Sequence, residues 1–480
     1  MTESPPTNLR TVAIIGGGVA GMSAACALAE GDFRVQLIER RGYLGGRASS
    51  YLHPGVNEVI DNCEHALIGA YTNLRGFYRR IGVEDKIHWS ANITMIEPDG
   101  HRTILGPSPL PAPLHGLPRL LAAHAFSLAD KLALMRAFKA ILRPSSNSDE
   151  NLAEWLTRHK QTKGAIERFW RLVIASALNS DLDKISVQYA AMVIRGLFMD
   201  SPEAGRMGTS SIPLSDLHKN AEYFLASHGS SVLYNTNVAS LEWDEETSSW
   251  IIHTRTGQVV ADYVIVALPF EALGKLLPDM PPVEGADALA DDIAQHEHWP
   301  LCSVHLWFDR EITELESAVL LDREIHWLYN KGLTQPWRKV KGSYVELVIS
   351  ASRSFASLER KEAIDLALNE LREFFPAARD AKLEKAALIK EVRATFGVPP
   401  GIDRARPNTI SPWPNLYLAG DWVQTGWPST MESAARSGHQ AAEELAIEAG
   451  RPIYCFVPDL KPKGLMPLLN KLIARQANNF

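Results

Sequence analysis

The segment VAIIGGGVAG, residues 12–21, decides the fold of this chain of 480 residues. Four apolar residues run into three consecutive glycines, and a stretch of small residues follows as far as Glu30. After Gly31-Asp32, a second apolar run from Val35 to Ile38 ends at the acidic residue Glu39. An apolar run, a helical stretch and another apolar run within about thirty residues predict a β-α-β unit, and therefore a parallel sheet.

Each glycine of this segment has its own physical role. Gly16 allows a tight turn, Gly18 lets the backbone approach a pyrophosphate, and Gly21 lets the helix pack closely on the strand. The N-terminus of the helix offers unpaired N–H groups and a positive dipole end to phosphates. Glu39 can accept hydrogen bonds from ribose hydroxyls, and Arg40 after it would suit a 2′-phosphate. The segment thus predicts a dinucleotide site; the alternative is a glycine-rich turn without a ligand.

The composition excludes several classes of protein. Hydrophobic residues make up 46% and charged residues 22% of the chain, as in soluble globular proteins, which excludes disorder, collagen and a disulfide scaffold. A net charge of −7 argues against nucleic acid as a partner. The four cysteines have no C-x-x-C spacing, so we expect a reducing compartment and no metal site. Neither a signal peptide nor an apolar run of spanning length is recognised, and a cytoplasmic protein is expected.

Two further motifs carry a family resemblance. LGGR at 44–47 follows the acidic residue, and LAGDW at 418–422 precedes WPSTMESA at 427–434. Together with the first segment they resemble the flavin-dependent amine oxidase and phytoene desaturase superfamily, which implies FAD. The resemblance implies that Gly45, Gly46 and Arg47 contact the pyrophosphate of FAD and that Gly420 and Asp421 contact the ribityl chain. It also implies that Thr430 and Met431, at a helix start, contact the pyrimidine. The backbone of Val238 would contact the adenine.

The sequence also narrows the type of flavoprotein. A single dinucleotide fingerprint without a redox cysteine pair excludes a pyridine-nucleotide disulfide reductase. Since the C-terminal motif contains no cysteine, we expect FAD to be bound noncovalently. Amine oxidases of the superfamily have a cage tyrosine at the position of Thr430, and a threonine cannot form that cage. An amine substrate is therefore disfavoured.

The stretch DNCEHALIGAY at 61–71 resembles the squalene-associated branch, the hydroxysqualene dehydroxylases of hopanoid synthesis. Here Cys63-Glu64 replaces the usual Gly-Gln. Whether this segment holds the flavin or contacts the substrate is therefore left open. The resemblance implies that an allylic alcohol is protonated and loses water, and that a hydride from N5 of reduced FAD quenches the cation to give squalene. Such a reaction needs a general acid, cation-stabilising groups and exclusion of water.

Four residues are candidates for this chemistry. Asp61, Glu64 and His65 are the candidate acids because they follow the flavin-phosphate motif in one loop, and Trp427 is a candidate aromatic wall. The alternative for Asp61 and His65 is that they fix the loop or the flavin. Glu432 is interpreted as a helix-terminus residue.

A C30 polyene is insoluble, so contact with a membrane is expected. Residues 114–143 carry five basic residues and one acidic residue, and residues 461–480 carry four basic residues and no acidic one. The second segment also places its leucines on one helical face. Both fit interfacial helices on an anionic leaflet, and the alternative is ordinary docking helices. The predicted location is the cytoplasmic face of the inner membrane, with peripheral attachment.

These motifs must converge on one cofactor, which predicts interleaved domains. The fold class is α/β: a Rossmann-like FAD-binding domain (1–75, 215–275 and 395–450) interleaved with a mixed α+β substrate domain (76–214 and 276–394). Residues 451–480 form a basic amphipathic tail. Two other functions remain open at this point: a carotenoid or phytoene-type desaturase or isomerase, and a noncatalytic prenyl-binding escort protein.

Overall fold

The structure, a computed structural model, describes residues 9–142, 149–338, 341–351 and 353–477. The predicted linker at 144–147 lies outside these ranges. The strands are, in chain order, β1 Thr11–Ile15, β2 Arg34–Ile38, β3 Ser50–His53, β4 Glu58–Asp61, β5 Leu67–Ile68, β6 Ile87–Ser90, β7 Ile93–Ile96, β8 Arg102–Leu105, β9 Met207–Ser210, β10 Ser231–Leu233, β11 Val238–Asp244, β12 Ser249–Thr254, β13 Gly257–Ala261, β14 Tyr263–Val266, β15 His298–Phe308, β16 Ser317–Leu320, β17 Trp327–Asn330, β18 Tyr344–Ser350, β19 Leu383–Phe396 and β20 Leu416–Leu418.

Helices cover both faces of the sheets and fill the middle of the chain. The α-helices are α1 Val19–Glu30, α2 Thr72–Arg80, α3 Leu117–Ala122, α4 Leu128–Ile141, α5 Leu152–Arg158, α6 Lys163–Ala165, α7 Ser176–Leu178, α8 Val187–Ile194, α9 Leu214–Ser227, α10 Phe270–Leu276, α11 Ala286–Ala294, α12 Lys331–Thr334, α13 Arg353–Ser357, α14 Arg360–Phe374, α15 Ala377–Asp380, α16 Met431–Glu448 and α17 Met466–Ala477.

A five-stranded parallel sheet forms the first layer, in the order β10-β2-β1-β14-β20. Its strands come from four separate parts of the chain. Strands β1, β14 and β20 are almost wholly buried, as expected for a sheet covered on both faces, whereas the edge strand β10 is not. Helix α1 lies against α16, where a Cβ on Gly438 would stand 2.2 Å from the carbonyl oxygen of Ala20. The predicted β-α-β unit and the α/β fold class are confirmed.

A seven-stranded sheet forms the second unit, in the order β19-β15-β18-β17-β16-β7-β8. Its pairings are antiparallel except for β16 with β7. Strands β7 and β8 come from residues 93–105, and the other five come from residues 298–396. Proline and glycine are dense from 98 to 118, a pattern that predicts a loop or a domain crossing. Within this segment the structure has strand β8, whose Thr103 and Leu105 are buried and which completes this sheet.

The helical layer over this sheet contains α3 to α8. Ser127 and Asp130 form the predicted capping box at the start of α4. The sequence predicts helical stretches around 151–178 and 186–200, and the structure has a π-helical segment within each, Ile166–Ala175 and Arg195–Met199. No helix in the described ranges is both long and apolar enough to cross a bilayer.

Candidate active site

The glycine turn between β1 and α1 has the geometry that a dinucleotide needs. Gly16 has φ +114°, and a Cβ on Gly21 would lie 1.9 Å from the carbonyl oxygen of Gly16. In contrast, a Cβ on Gly18 would meet no protein atom within 4 Å. The N-cap of α1 is Gly18, so no side chain caps the helix. The turn is therefore closed on the protein side and open where phosphates would approach.

Glu39 organises the end of the neighbouring strand. Its carboxylate accepts hydrogen bonds from the backbone N–H groups of Gly17 and Arg41, each at 2.8 Å. Arg40 is exposed. The backbone N–H of Thr236 donates to the carbonyl oxygen of Glu39 at 3.0 Å, which brings the segment before Val238 alongside the acidic residue. The structure thus places the predicted ribose and adenine positions at one edge of the sheet.

The second and third motifs meet at an ion pair. The guanidinium of Arg47 donates to the Asp421 carboxylate, although the two residues are 374 positions apart. Asp421 also accepts from Ser429. Burial alone would raise the pKa of Asp421, but the charge and hydrogen bond of Arg47 outweigh it and lower this pKa. Gly45 and Gly46 have φ of +114° and +62°, and Gly46 packs on Gly18.

The start of α16 forms one wall of the site. Thr430 is its N-cap, and the side chain accepts from the backbone N–H of Ser433 at 3.1 Å. Thr430 and Met431 line the cavity described next, together with Trp427. Glu432 points the other way: its buried carboxylate accepts from the backbone N–H groups of Asn73 and Leu74 at the start of α2. The interpretation of Glu432 as a helix-terminus residue agrees with these contacts.

An apolar cavity of about 270 Å³ leads away from residues 428–431. Its wall includes two aromatic pairs: Tyr71 and Trp427 meet edge to face at 5.6 Å, and Trp327 and Tyr329 stack at 5.6 Å between ring centroids. A second apolar cavity of about 280 Å³ adjoins it. The two share four wall residues, which are Ile93, Leu105, Leu197 and Phe198. Together they form an elongated apolar space that begins at the predicted flavin site.

Of the three candidate acids, Glu64 and His65 line the cavity, while Asp61 is buried behind it. The Asp61 carboxylate accepts from Ser50 and from Lys331 Nζ at 2.8 Å. Burial opposes its ionisation, but the charge of Lys331 and these hydrogen bonds prevail and hold the pKa of Asp61 far below its usual range. Asp61 also does not line the cavity, unlike Glu64, so its position and its environment do not suit the predicted acid role.

The surroundings of His65 also do not suit the predicted role of general acid. Its Nδ1 lies 2.9 Å from the carbonyl oxygen of Cys63, and burial lowers its pKa, so the ring is neutral. This bond fixes the loop, as the alternative interpretation of His65 supposes. Cys63 itself has φ +62°, a conformation that favours glycine, the residue usual at this position in the squalene-associated branch.

Sequence reasoning missed the groups behind Glu64. Lys331 Nζ is buried among three carboxylates: it contacts Glu64 and Asp61, and lies 3.3 Å from Glu346 Oε2. Burial would lower the pKa of Lys331, but the three carboxylates raise it well above its usual value. A signal existed in the sequence, because Glu346 interrupts an otherwise apolar strand, and a buried carboxylate requires a partner. The partner could not be named without the fold.

The residues present fit FAD. The open side of Gly18, the uncapped start of α1 and the carboxylate of Glu39 suit the adenosine diphosphate half. Arg47 and Ser429, which donate to the Asp421 carboxylate, line the apolar cavity together with Thr430 and Met431 at the start of α16, where the isoalloxazine would sit. When bound, FAD would supply hydride chemistry at this end of the cavity.

Comparisons with known proteins identify the family of this chain. The family model described as flavin containing amine oxidoreductase matches residues 19–446. Zeta-carotene desaturase of Synechocystis is 27% identical, over 92% of this chain and 98% of that protein. The 15-cis-phytoene desaturase of Synechococcus elongatus is 23% identical, over 92% and 98%.

Solved structures share the fold. An oxidoreductase from Methanosarcina mazei superposes with a TM-score of 0.71 at 16% identity, covering 89% of this chain and 98% of that one. Putrescine oxidase bound to putrescine gives 0.69 at 15% identity, over 92% and 100%. The chain belongs to the family of flavin-containing amine oxidoreductases and is an FAD-dependent oxidoreductase.

Proposed function

We propose that the protein removes the hydroxyl group of hydroxysqualene reductively and releases squalene. The proposal combines the resemblance of residues 61–71 with one observation: an acidic side chain, Glu64, lines an elongated apolar cavity and is backed by a buried lysine. Protonation of the hydroxyl by Glu64 would let water leave, and noncovalently bound, reduced FAD would supply the hydride.

The cavity suits the other demands of this reaction. A cation formed by loss of water needs aromatic faces, which Tyr71, Trp327, Tyr329 and Trp427 provide. It also needs protection from bulk water, and most of the cavity wall is apolar, although Arg47, Asn62 and Glu391 also line it. An amine substrate lacks support, because Thr430 caps a helix at the place where an amine oxidase has its cage tyrosine.

A second candidate function is a carotenoid-type desaturation. The curated relatives reported above are carotenoid desaturases, and an elongated apolar cavity suits their hydrocarbon substrates equally. The direction of proton transfer distinguishes the two. Desaturation removes a hydride and a proton and so needs a base, whereas dehydroxylation needs an acid. The intact glycine turn also argues against a noncatalytic prenyl-binding escort protein.

We further propose that the substrate enters from an anionic membrane surface, which would place the protein on the cytoplasmic face of the inner membrane. Seven exposed leucines form what we call the leucine rim: Leu114, Leu121, Leu128, Leu132, Leu465, Leu468 and Leu472. The two basic segments meet here, since the backbone N–H of Leu465 donates to the carbonyl oxygen of Ala112 at 2.7 Å. Lys131 Nζ donates to Leu121 O at 2.8 Å. Arg143 of the first segment lies outside the described residues.

The second cavity lies beneath this rim. Leu114 belongs to both, and Met135 and Phe138 of α4 line the cavity from the other side. Apolar side chains flanked by lysines and arginines suit the boundary between head groups and acyl chains of an anionic leaflet. A path from the bilayer through the second cavity to the first would keep a polyene out of water.

Product analysis tests the proposed function. Purified protein with bound FAD, reduced in the absence of oxygen, is mixed with hydroxysqualene in detergent or vesicles, and the extracted lipids are identified by mass spectrometry. Squalene is the expected product. Oxidised protein is incubated in parallel with phytoene; desaturated products there, with no squalene in the first reaction, would favour the second candidate.

A further inference from the structure

The cluster behind Glu64 has more negative than positive charge. Lys331 is the ammonium at its centre, and Asp61, Glu64 and Glu346 surround it. All four side chains are at most 5% exposed. Three ionised carboxylates around one ammonium would bury two net negative charges, which is costly in a dry interior. The cluster is therefore expected to hold one proton more than its ordinary pKa values provide.

Glu346 is the member that fits this additional proton. Among the described residues, neither of its buried carboxyl oxygens accepts a well-aligned hydrogen bond, and its nearest cation, Lys331 Nζ, lies 3.3 Å from Oε2. Asp61, by contrast, accepts hydrogen bonds from Ser50, Lys331 and Gln335. Burial, followed by the charges of Glu64 and Asp61, outweighs Lys331 and raises the pKa of Glu346 to about 8.

Groups from every neighbouring element face Glu346. Those that can titrate or carry charge are Asp61, Cys63 and Glu64 after β4, His305 on β15, Tyr329 on β17, Lys331 on α12, Arg338 after it and Tyr344 on β18. The His305 ring is neutral, because burial lowers its pKa to about 3, and its Nδ1 lies 2.8 Å from the Tyr344 hydroxyl. Among these groups, Lys331 alone lies within hydrogen-bonding distance of both Glu346 and Glu64.

We propose that Glu346 and Lys331 form a buried proton relay that recharges Glu64 at the cavity wall. The proposal rests on the proposed function, since it gives Glu64 a hydroxyl to protonate. Lys331 Nζ contacts Glu64 on one side and Glu346 on the other, so a single atom connects the buried carboxyl group to the cavity. Glu64 is then the catalytic acid, and Lys331 and Glu346 are positioning residues that act through it.

The relay moves one proton toward the substrate, and each step balances. Glu346 gives its proton to Lys331 as Lys331 gives one to the Glu64 carboxylate, so the lysine is never left neutral. The Glu64 carboxyl then gives this proton to the substrate hydroxyl, the C–O bond breaks with its electron pair on oxygen, and water leaves. Bound FAD in its anionic reduced form would supply the hydride, and with it both electrons, that completes the product. Glu346 regains a proton from solvent before the next turnover, so one proton is consumed.

The relay predicts a pH dependence with a definite sign. Glu346 must be protonated, so the rate of squalene formation should fall as pH rises through about 8. In Glu346→Gln the rate should fall by roughly 10²-fold or more, the scale of general acid catalysis, and this inflection should vanish. Glu64→Gln should lose a similar factor; since glutamine is the usual residue here in the resembled branch, an unchanged rate in this variant would show that Glu64 is not the acid. The exposed Glu384→Gln is the matched control and should behave as wild type.

Infrared spectroscopy supplies a readout that is independent of turnover. Ligand-free holoenzyme at neutral pH should show the C=O stretch of a protonated, buried carboxyl group, and the band should disappear above pH 8 and be absent from Glu346→Gln. Absence of this band from wild type, or an unchanged pH profile in Glu346→Gln, would overturn the relay while squalene formation persists. Wild type that forms no squalene would overturn the proposed function, and the relay with it.

Discussion

Gly18 and Gly21 stand three residues apart in one turn, yet their surroundings differ completely. A Cβ on Gly21 would collide with the backbone of Gly16, whereas a Cβ on Gly18 would point into open space. Gly21 is therefore required by the fold, and Gly18 by the ligand. The sequence motif predicts these separate roles, and the space around each glycine in the structure agrees with them.

Substitution by alanine tests this separation. Gly21→Ala should destabilise the protein by roughly 1–3 kcal/mol or more, because the backbone cannot yield to a contact of this kind without shifting. Gly18→Ala should change the free energy of unfolding of the apoprotein by no more than about 0.5 kcal/mol, the range of harmless substitutions, and should still lose bound FAD. Urea unfolding and the flavin absorbance of the purified proteins measure the two effects. Full flavin content in Gly18→Ala would contradict the assigned role.

The sequence predicts Asp61 as a candidate acid, but its surroundings in the structure hold it ionised. Its carboxylate accepts from Ser50, Lys331 and Gln335, and an asparagine keeps only one of the two acceptor oxygens. Asp61→Asn should therefore destabilise the protein by about 1–3 kcal/mol, the cost of leaving a buried donor without its acceptor. Glu58→Gln is the control on the same strand: its pair with Lys385 is at the surface, and its loss should cost under about 1 kcal/mol. Equal destabilisation of the two variants would show that Asp61 is not held in a buried pair.

At the scale of elements, helix α16 connects two parts of the site. Its N-cap, Thr430, faces the cavity, while Glu432 one turn on supports the start of α2. Helix positions were predictable from the sequence because capping residues and apolar spacing are local signals. The π-helical segments and strand β8 were not, because tertiary packing decides them and no local pattern marks either.

Glu432→Gln should weaken the junction between α16 and α2. A carboxylate that accepts from the backbone N–H groups of Asn73 and Leu74 would be replaced by a neutral amide, at a cost of about 1–3 kcal/mol. Bound FAD should be retained, since Glu432 does not line the cavity. Glu444→Gln on the exposed side of the same helix should change stability by less than about 0.5 kcal/mol. Thermal unfolding and flavin absorbance compare the two, and loss of flavin in Glu432→Gln alone would assign it to the cofactor site.

At the scale of the whole molecule, residues from distant parts of the chain meet at the site. The ion pair of Arg47 with Asp421 and the cluster of Lys331 with Asp61 each join segments more than two hundred residues apart. Motif resemblance predicted the first meeting because both partners belong to known flavin motifs. The second could not be predicted, since α12 carries no motif and its lysine becomes notable only beside Glu64 and Glu346.

The leucine rim is also a property of the whole molecule, because two distant segments build it. Leu468→Ser should lower binding to vesicles of anionic phospholipid on the order of tenfold, since burial of one leucine is worth roughly 1.5–3 kcal/mol. Leu52→Ser is the matched control: Leu52 is 60% exposed and Leu468 59%, but Leu52 lies on β3, outside the rim. Cosedimentation measures both variants, and removal of residues 461–480 should have a larger effect. An equal loss of binding in both variants would argue against a defined membrane surface.

The central claim is that a flavin, an acid and an apolar cavity together remove a hydroxyl group from a polyene. The most direct measurement is a single-turnover reaction of anaerobically reduced holoenzyme with hydroxysqualene, in which squalene and flavin oxidation are followed together. We predict one squalene formed for each reduced flavin oxidised, at a rate that Glu64→Gln lowers by about 10²-fold. Flavin that stays reduced, with hydroxysqualene recovered unchanged, would contradict the claim.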